Sequence, residues 1–126
     1  MGYSVLIVDD AEFMRTMLKD IVQSMDWTVA GEAADGAEAV AMFADTRPDL
    51  VLLDITMPNL DGTEALRRIL AVDPQAQVVM ISALGQKDQV LEAIKTGARD
   101  FIIKPLDHDR VVQTLSRLFA TAGASR

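Results

Sequence analysis

The sequence predicts a doubly wound α/β domain built on a five-stranded parallel sheet. Two observations predict it. Short runs that are apolar throughout, rather than alternating, recur along the chain, which suits strands buried on both faces. Between them lie segments with apolar residues at helical spacing, which supply the crossovers that parallel strands need.

The elements follow in order. Val5-Leu6-Ile7-Val8 is the first apolar run and ends in Asp9-Asp10. Phe13, Met14, Met17, Leu18, Ile21 and Val22 then fall on one helical face. Met14 and Met17 read as core or edge packing, not as a metal or cofactor site. Residues 27–33 are β-rich around Val29, and an alanine-rich helical stretch over 37–44 carries Val40 and Phe43. Arg47-Pro48 stops that helix. Leu50-Val51-Leu52-Leu53 is a buried strand ending at Asp54, and a third helix, marked by Leu66, Ile69 and Leu70, begins near Asp61. Val78-Val79-Met80-Ile81 ends at Ser82; Val90, Leu91 and Ile94 mark a fourth helix closed by Gly97. Phe101-Ile102-Ile103 leads to Lys104-Pro105, and Val111, Val112, Leu115, Leu118 and Phe119 give the last helix. One domain over residues 1–122 is expected, with a frayed tail over 123–126.

Composition narrows the function. The chain has 126 residues, half of them hydrophobic, with a net charge of −7 and no cysteine. The acidic balance argues against nucleic acid or an anionic membrane surface as partner. The absence of cysteine excludes disulfides and thiol chemistry. No signal peptide and no membrane-length apolar run is visible, so a soluble cytoplasmic protein is expected.

Position carries the functional signal. Asp9, Asp10, Asp54, Ser82 and Lys104 all sit at the carboxyl ends of expected strands, where open α/β sheets bind ligands. The second strand brings no polar group to that rim, as expected of an edge strand. Three clustered carboxylates repel one another unless a cation is present. Mg²⁺, an oxygen-seeking ion commonly held by one or two carboxylates and phosphate oxygens, suits them. Zn²⁺ does not, because the only histidine is His108, read as an exposed helix-start residue without chemistry. An aspartate can also act as nucleophile and form an aspartyl-phosphate, with a hydroxyl and a lysine to hold the phosphoryl oxygens. Taken singly, each residue has an ordinary reading: a cap for Asp9 or Asp10, a turn for Asp54, a loop hydroxyl for Ser82, a solvated charge for Lys104. Their common rim favours the site.

The stretches Ile7-Val8-Asp9-Asp10 and Leu53-Asp54-Ile55-Thr56-Met57-Pro58, then Asp61-Gly62, Ile81-Ser82-Ala83 and Lys104-Pro105, resemble the response-regulator receiver family. The resemblance covers nearly the whole chain and lies nearest to the stand-alone chemotaxis members. It implies a flavodoxin-like fold with strand order 2-1-3-4-5. It implies that Asp54 is the phosphoacceptor, that Asp9, Asp10, Asp54 and the backbone carbonyl of Thr56 hold Mg²⁺, and that Mn²⁺ can substitute. Ser82 and Lys104 contact the phosphoryl group; Ser82 and Phe101 form the switch; Pro105 follows a cis bond. Thr56 and Leu84 tune the hydrolysis rate, and an apolar Leu84 implies slow turnover. Phe101, unlike a tyrosine, brings no hydroxyl to a partner.

The implied protein is a phosphoacceptor that promotes its own phosphorylation and slow autodephosphorylation, not an enzyme acting on a separate substrate. Its implied partners are a histidine kinase, a phosphatase and an output protein, with the flagellar motor switch as that output and the chain as a monomer. Two other readings stand beside it. One is a receiver serving another pathway. The other is an aspartyl-phosphate phosphohydrolase, against which the adjacent Asp9-Asp10 pair counts, since those enzymes carry Asp-x-Asp on the first strand.

Overall fold

The structure is a computed structural model in which residues 2–124 are described. The elements are β1 (Ser4–Val8), α1 (Glu12–Ser24), β2 (Thr28–Ala33), α2 (Gly36–Thr46), β3 (Leu50–Asp54), α3 (Gly62–Val72), β4 (Val78–Ser82), α4 (Lys87–Thr96), β5 (Asp100–Ile103) and α5 (His108–Ala124). The strands form one parallel sheet in the order β2-β1-β3-β4-β5. This is the flavodoxin-like arrangement. The last two residues of the expected tail, 125 and 126, lie outside the described residues.

The three central strands divide their side chains between two cores. Leu6, Val8, Val51, Leu53, Val78 and Met80 pack with Phe43 of α2, Leu66 and Ile69 of α3, and Val90 and Ala93 of α4. Val5, Ile7, Leu50, Leu52, Val79 and Ile81 pack with Leu18, Ile21 and Val22 of α1 and Val111 and Leu115 of α5. Because side chains alternate faces along a strand, each central strand must be apolar at every position to serve both cores. Each such side chain stabilises the fold by about 1.5–3 kcal/mol.

Local signals fix the helix ends. Asp35 and Asp61 cap α2 and α3, accepting from the backbone N–H of Glu38 at 2.8 Å and of Glu64 at 3.0 Å. Arg47, left-handed at φ 45°, ends α2 before Pro48, and Gly97 at φ 136° ends α4. Two helical faces differ from the sequence reading. Phe13 and Met17 point outward from α1, so its buried stripe is Met14, Leu18, Ile21 and Val22. Leu91 and Ile94 point outward from α4, which buries Val90 and Ala93 instead. Both helices carry more apolar residues than one stripe against the sheet can cover. Among the described residues, no helix is long and apolar enough to cross a membrane.

The aromatic side chains of Tyr3, Trp27 and Phe119 cluster at the amino-terminal end of the sheet, with Tyr3 and Phe119 stacked at 3.7 Å between ring centroids. Trp27 fluorescence therefore reports folding rather than events at the opposite rim.

At that opposite rim, Gly62 is forced by close packing. Its N–H donates to the Ile55 carbonyl at 2.7 Å, and a Cβ there would lie 2.1 Å from the Asp54 carbonyl oxygen and 2.7 Å from Ile55 Cα. Backbone atoms cannot step aside as a side-chain tip can. Gly62→Ala should destabilise the chain by about 1–3 kcal/mol, measured by urea unfolding followed at Trp27. An unchanged midpoint would show that the β3–α3 loop is slack.

Candidate functional site

The parallel register brings the carboxyl ends of β1, β3, β4 and β5 to one rim. Asp54 pairs with Ile81, and Ile103 with Ser82; the N–H of Lys104 donates to the Ser82 carbonyl at 2.7 Å. Among the described residues, Asp9, Asp54 and Ser82 are the buried polar side chains.

Asp9 is fully enclosed. Its Oδ1 accepts from the N–H of Ala11 at 2.9 Å. Its Oδ2 has no hydrogen bond but lies 3.1 Å from Lys104 Nζ, an ion-pair contact. The capping role open to Asp9 and Asp10 is not taken up by either: Ala11 occupies the N-cap of α1, with no side-chain cap bond. Asp10 is exposed, and the carboxylate oxygens of Asp9, Asp10 and Asp54 all lie within 4.8 Å of one another. Lys104 Nζ is also 3.6 Å from Asp54 Oδ1. Two carboxylates at that separation repel by about 3 kcal/mol at an effective dielectric constant near 20, and one ammonium cannot neutralise three of them.

Burial pushes the Asp54 carboxyl up to about 6, with Asp9 adding to the rise. The Lys104 charge and the N–H of Thr56 oppose the shift, and Asp10 contributes a smaller rise. This donor set fits a hard divalent cation. It offers oxygen ligands only, one of them solvent-facing, beside a buried carboxylate oxygen that no hydrogen bond satisfies.

The other expected residues surround this cluster. Ser82 is 1 % exposed. Thr56 follows Asp54 by two positions and is exposed. Leu84 is 77 % exposed and Phe101 38 % exposed. The Lys104–Pro105 peptide bond is cis. Phe101 and Ile103 face away from Ile102, which joins the core under α1 and α5. With Leu84, Val90, Leu91 and Ile94 they line an apolar groove of about 340 Å³ between α4 and β5.

Two arrangements escaped the sequence reading. Although β2 ends short of the acidic cluster, it is not silent. Its Glu32 binds Arg15 at 3.0 Å and Lys19 at 2.8 Å, and Arg15 Nη1 donates to the Asp9 carbonyl at 2.7 Å. The Lys19 hydrogen bond is the main cause of the lowered Glu32 carboxyl, burial opposes it, and Arg15 adds to the lowering. The second is Gln86, whose Nε2 donates to Thr56 Oγ1 at 2.5 Å while its Oε1 accepts from the N–H of Ala83 at 2.7 Å. An i to i+4 helical spacing from Arg15 to Lys19 signals the first. Nothing local signals the second, which joins residues thirty positions apart.

A five-stranded 2-1-3-4-5 sheet with an acidic trio, a buried serine and a lysine on one rim defines a receiver-type α/β domain. The chain belongs to the response regulator receiver domain family, whose sequence model matches residues 5–116. It is similar to the chemotaxis protein CheY of Thermotoga maritima, 51 % identical over 94 % of this chain and 98 % of that one. It is similar also to CheY of Listeria monocytogenes, 55 % identical over 90 % and 95 %. Among solved structures it resembles CheY in the CheX–CheY–BeF₃–Mg²⁺ complex of Borrelia burgdorferi, with a TM-score of 0.89 and 42 % identity over 93 % of this chain and 89 % of that chain.

The raised Asp54 carboxyl has a stability consequence. The group ionises near 3.8 when unshifted and near 6 in the fold. Between those values the folded chain holds a proton that the unfolded chain has lost, so stability falls as pH rises through this window. In EDTA, Asp54→Asn should exceed wild type at pH 7.5 by on the order of 2–3 kcal/mol, and the gain should vanish by pH 4. A gain that is equal at both pH values would show that ionisation of Asp54 is not its source.

Proposed function

We propose that this receiver takes a phosphoryl group on Asp54 from the phosphohistidine of a histidine kinase and then presents its α4–β5–α5 face to an output protein. The observation that carries this is the buried Asp54 carboxylate, gathered with Asp9 and Asp10 within 4.8 Å and with Lys104 Nζ at 3.6 Å. A nucleophile in line with its donor needs positioning and charge neutralisation more than covalent help, and this rim offers both.

In the transfer, an Asp54 carboxylate oxygen forms the O–P bond as the P–N bond of phosphohistidine breaks. The imidazole leaves with that electron pair. Mg²⁺, with Mn²⁺ able to replace it, would be held by Asp9, Asp10, Asp54 and the Thr56 carbonyl, and supplies positive charge against the phosphoryl oxygens. Lys104 turns from Asp9 and Asp54 to the new anion, and Ser82 donates its hydroxyl to it. Phe101 then leaves its half-exposed position and fills the α4–β5 groove.

The relatives support chemotaxis as the setting, and we infer the flagellar motor switch as the output. The Borrelia CheY, solved with CheX, beryllofluoride and Mg²⁺, supports Mg²⁺ here and supports a protein partner; we infer a phosphatase among the partners. We further infer that the chain acts as a cytoplasmic monomer.

Incubation with acetyl phosphate, read by intact mass, should add one phosphoryl to wild type with Mg²⁺ and none in EDTA. Asp54→Asn should gain none under either condition; labelling equal to wild type would remove Asp54 from its role. Once phosphorylated, the chain should lose the group slowly, because the exposed apolar Leu84 cannot orient a water. Leu84→Gln should hydrolyse roughly two- to tenfold faster, the worth of one hydrogen bond. Equal phosphate release from the two proteins would count against Leu84 as a tuning position.

A further inference from the structure

We propose that Gln86 is a positioning residue, a clasp that holds the β3–α3 and β4–α4 loops in the resting arrangement and must open when Asp54 is phosphorylated. This rests on Asp54 being the phosphoacceptor.

Two hydrogen bonds link the loops beside the nucleophile. The backbone N–H of Thr56 helps hold the Asp54 carboxyl down, so this loop sits against the nucleophile. The Thr56 hydroxyl accepts from Gln86 Nε2 at 2.5 Å. Gln86 Oε1 accepts from the N–H of Ala83, the residue after Ser82, at 2.7 Å. A single amide thus ties the loop that follows Asp54 to the loop that follows Ser82. Gln86 is the N-cap of α4, yet its side chain makes no capping bond to that helix. It is spent across the site instead.

The clasp is set against the charge that phosphorylation brings. Asp54 lies beside Ile81 in the sheet, so Ala83 stands two residues beyond the strand partner of the nucleophile. Its N–H is given to a neutral amide oxygen. A phosphoryl group on Asp54 puts anionic oxygens at the same strand end. Charge-assisted hydrogen bonds are roughly twice as strong as neutral ones, so the Ala83 N–H moves to the phosphoryl oxygen and Gln86 loses its acceptor contact. Because one amide makes both bonds, losing one weakens the hold on Thr56 as well. The freed segment runs through Leu84 and Gly85 into α4 and borders the α4–β5 groove. Gln86 therefore links the anion at Asp54 to the apolar face, and it biases the unphosphorylated chain toward rest.

The test compares Gln86→Met, which keeps the length of the side chain and removes both bonds, with wild type. Three results are expected. Exchange of the Ala83 amide proton, followed by NMR in the unphosphorylated protein, accelerates at least about threefold. Phosphorylation of Asp54 by sub-saturating acetyl phosphate with Mg²⁺ accelerates roughly three- to tenfold. Thr56→Val, which removes the other end of the clasp, accelerates phosphorylation in the same direction, and the double variant is no faster than Gln86→Met alone. A merely structural role would shift the unfolding midpoint without these rate changes. Equal or slower phosphorylation of Gln86→Met, or additive effects in the double variant, overturns the clasp. Absence of any phosphoryl on Asp54 of wild type overturns the receiver reading itself, and the clasp's role with it.

Discussion

Three carboxylates around one ammonium impose the constraint on which the rest of this molecule depends. Asp9 and Asp54 are buried at the ends of adjacent strands, and Lys104 reaches both. Burial and mutual repulsion raise the free energy of the ionised cluster, which is why the Asp54 carboxyl is shifted upward. The same unfavourable charge makes the site receptive to a divalent cation, while burial keeps Asp54 largely out of solvent. Stability given up at this rim is recovered in the apolar sheet beneath it.

That sheet is correspondingly rigid. β1, β3 and β4 are buried at nearly every residue and serve a core on each face. Asp54 and Ser82 are therefore delivered by the best-packed strands of the domain, and their backbones cannot drift. The loops that follow are held by specific contacts instead: Gly62 against the Asp54 carbonyl, Arg15 on the Asp9 carbonyl, Gln86 between Thr56 and Ala83. Rigid strands with individually tied loops suit the proposed function, in which Asp54 stays fixed while its surroundings change.

This division also explains what could be read from the sequence. Continuous apolar runs have one physical use, burial on both faces, so the strands and the polar residues at their ends were legible. So was the start of α3 near Asp61, a local signal. The outward faces of Phe13, Met17, Leu91 and Ile94 were not, because periodicity marks an apolar helix but not how wide a stripe its neighbours cover. The Glu32–Arg15 support for Asp9 was missed because β2 was judged by its end and not by the face it turns to α1. Gln86 was illegible because its partner Thr56 comes from a different loop, and an exposed-looking glutamine in a turn has many ordinary uses.

The groove beside β5 shows why a charge change at Asp54 can be felt as an apolar one. β5 is an edge strand, and α4 covers it incompletely, leaving Phe101 and Ile103 half-exposed. Ser82 belongs to both places: it ends β4 at the acidic rim, and it lines the groove with Leu84, Val90 and Phe101. No long pathway is needed between them. On the proposed function, a movement of Ser82 toward an anion withdraws a side chain from the groove wall, beside which Phe101 lies half-exposed. A ring that enters the space leaves solvent, which favours the move by burial alone. On the proposed function, the link between phosphoryl chemistry and partner recognition is a shared wall, one residue thick, between a polar site and an apolar groove.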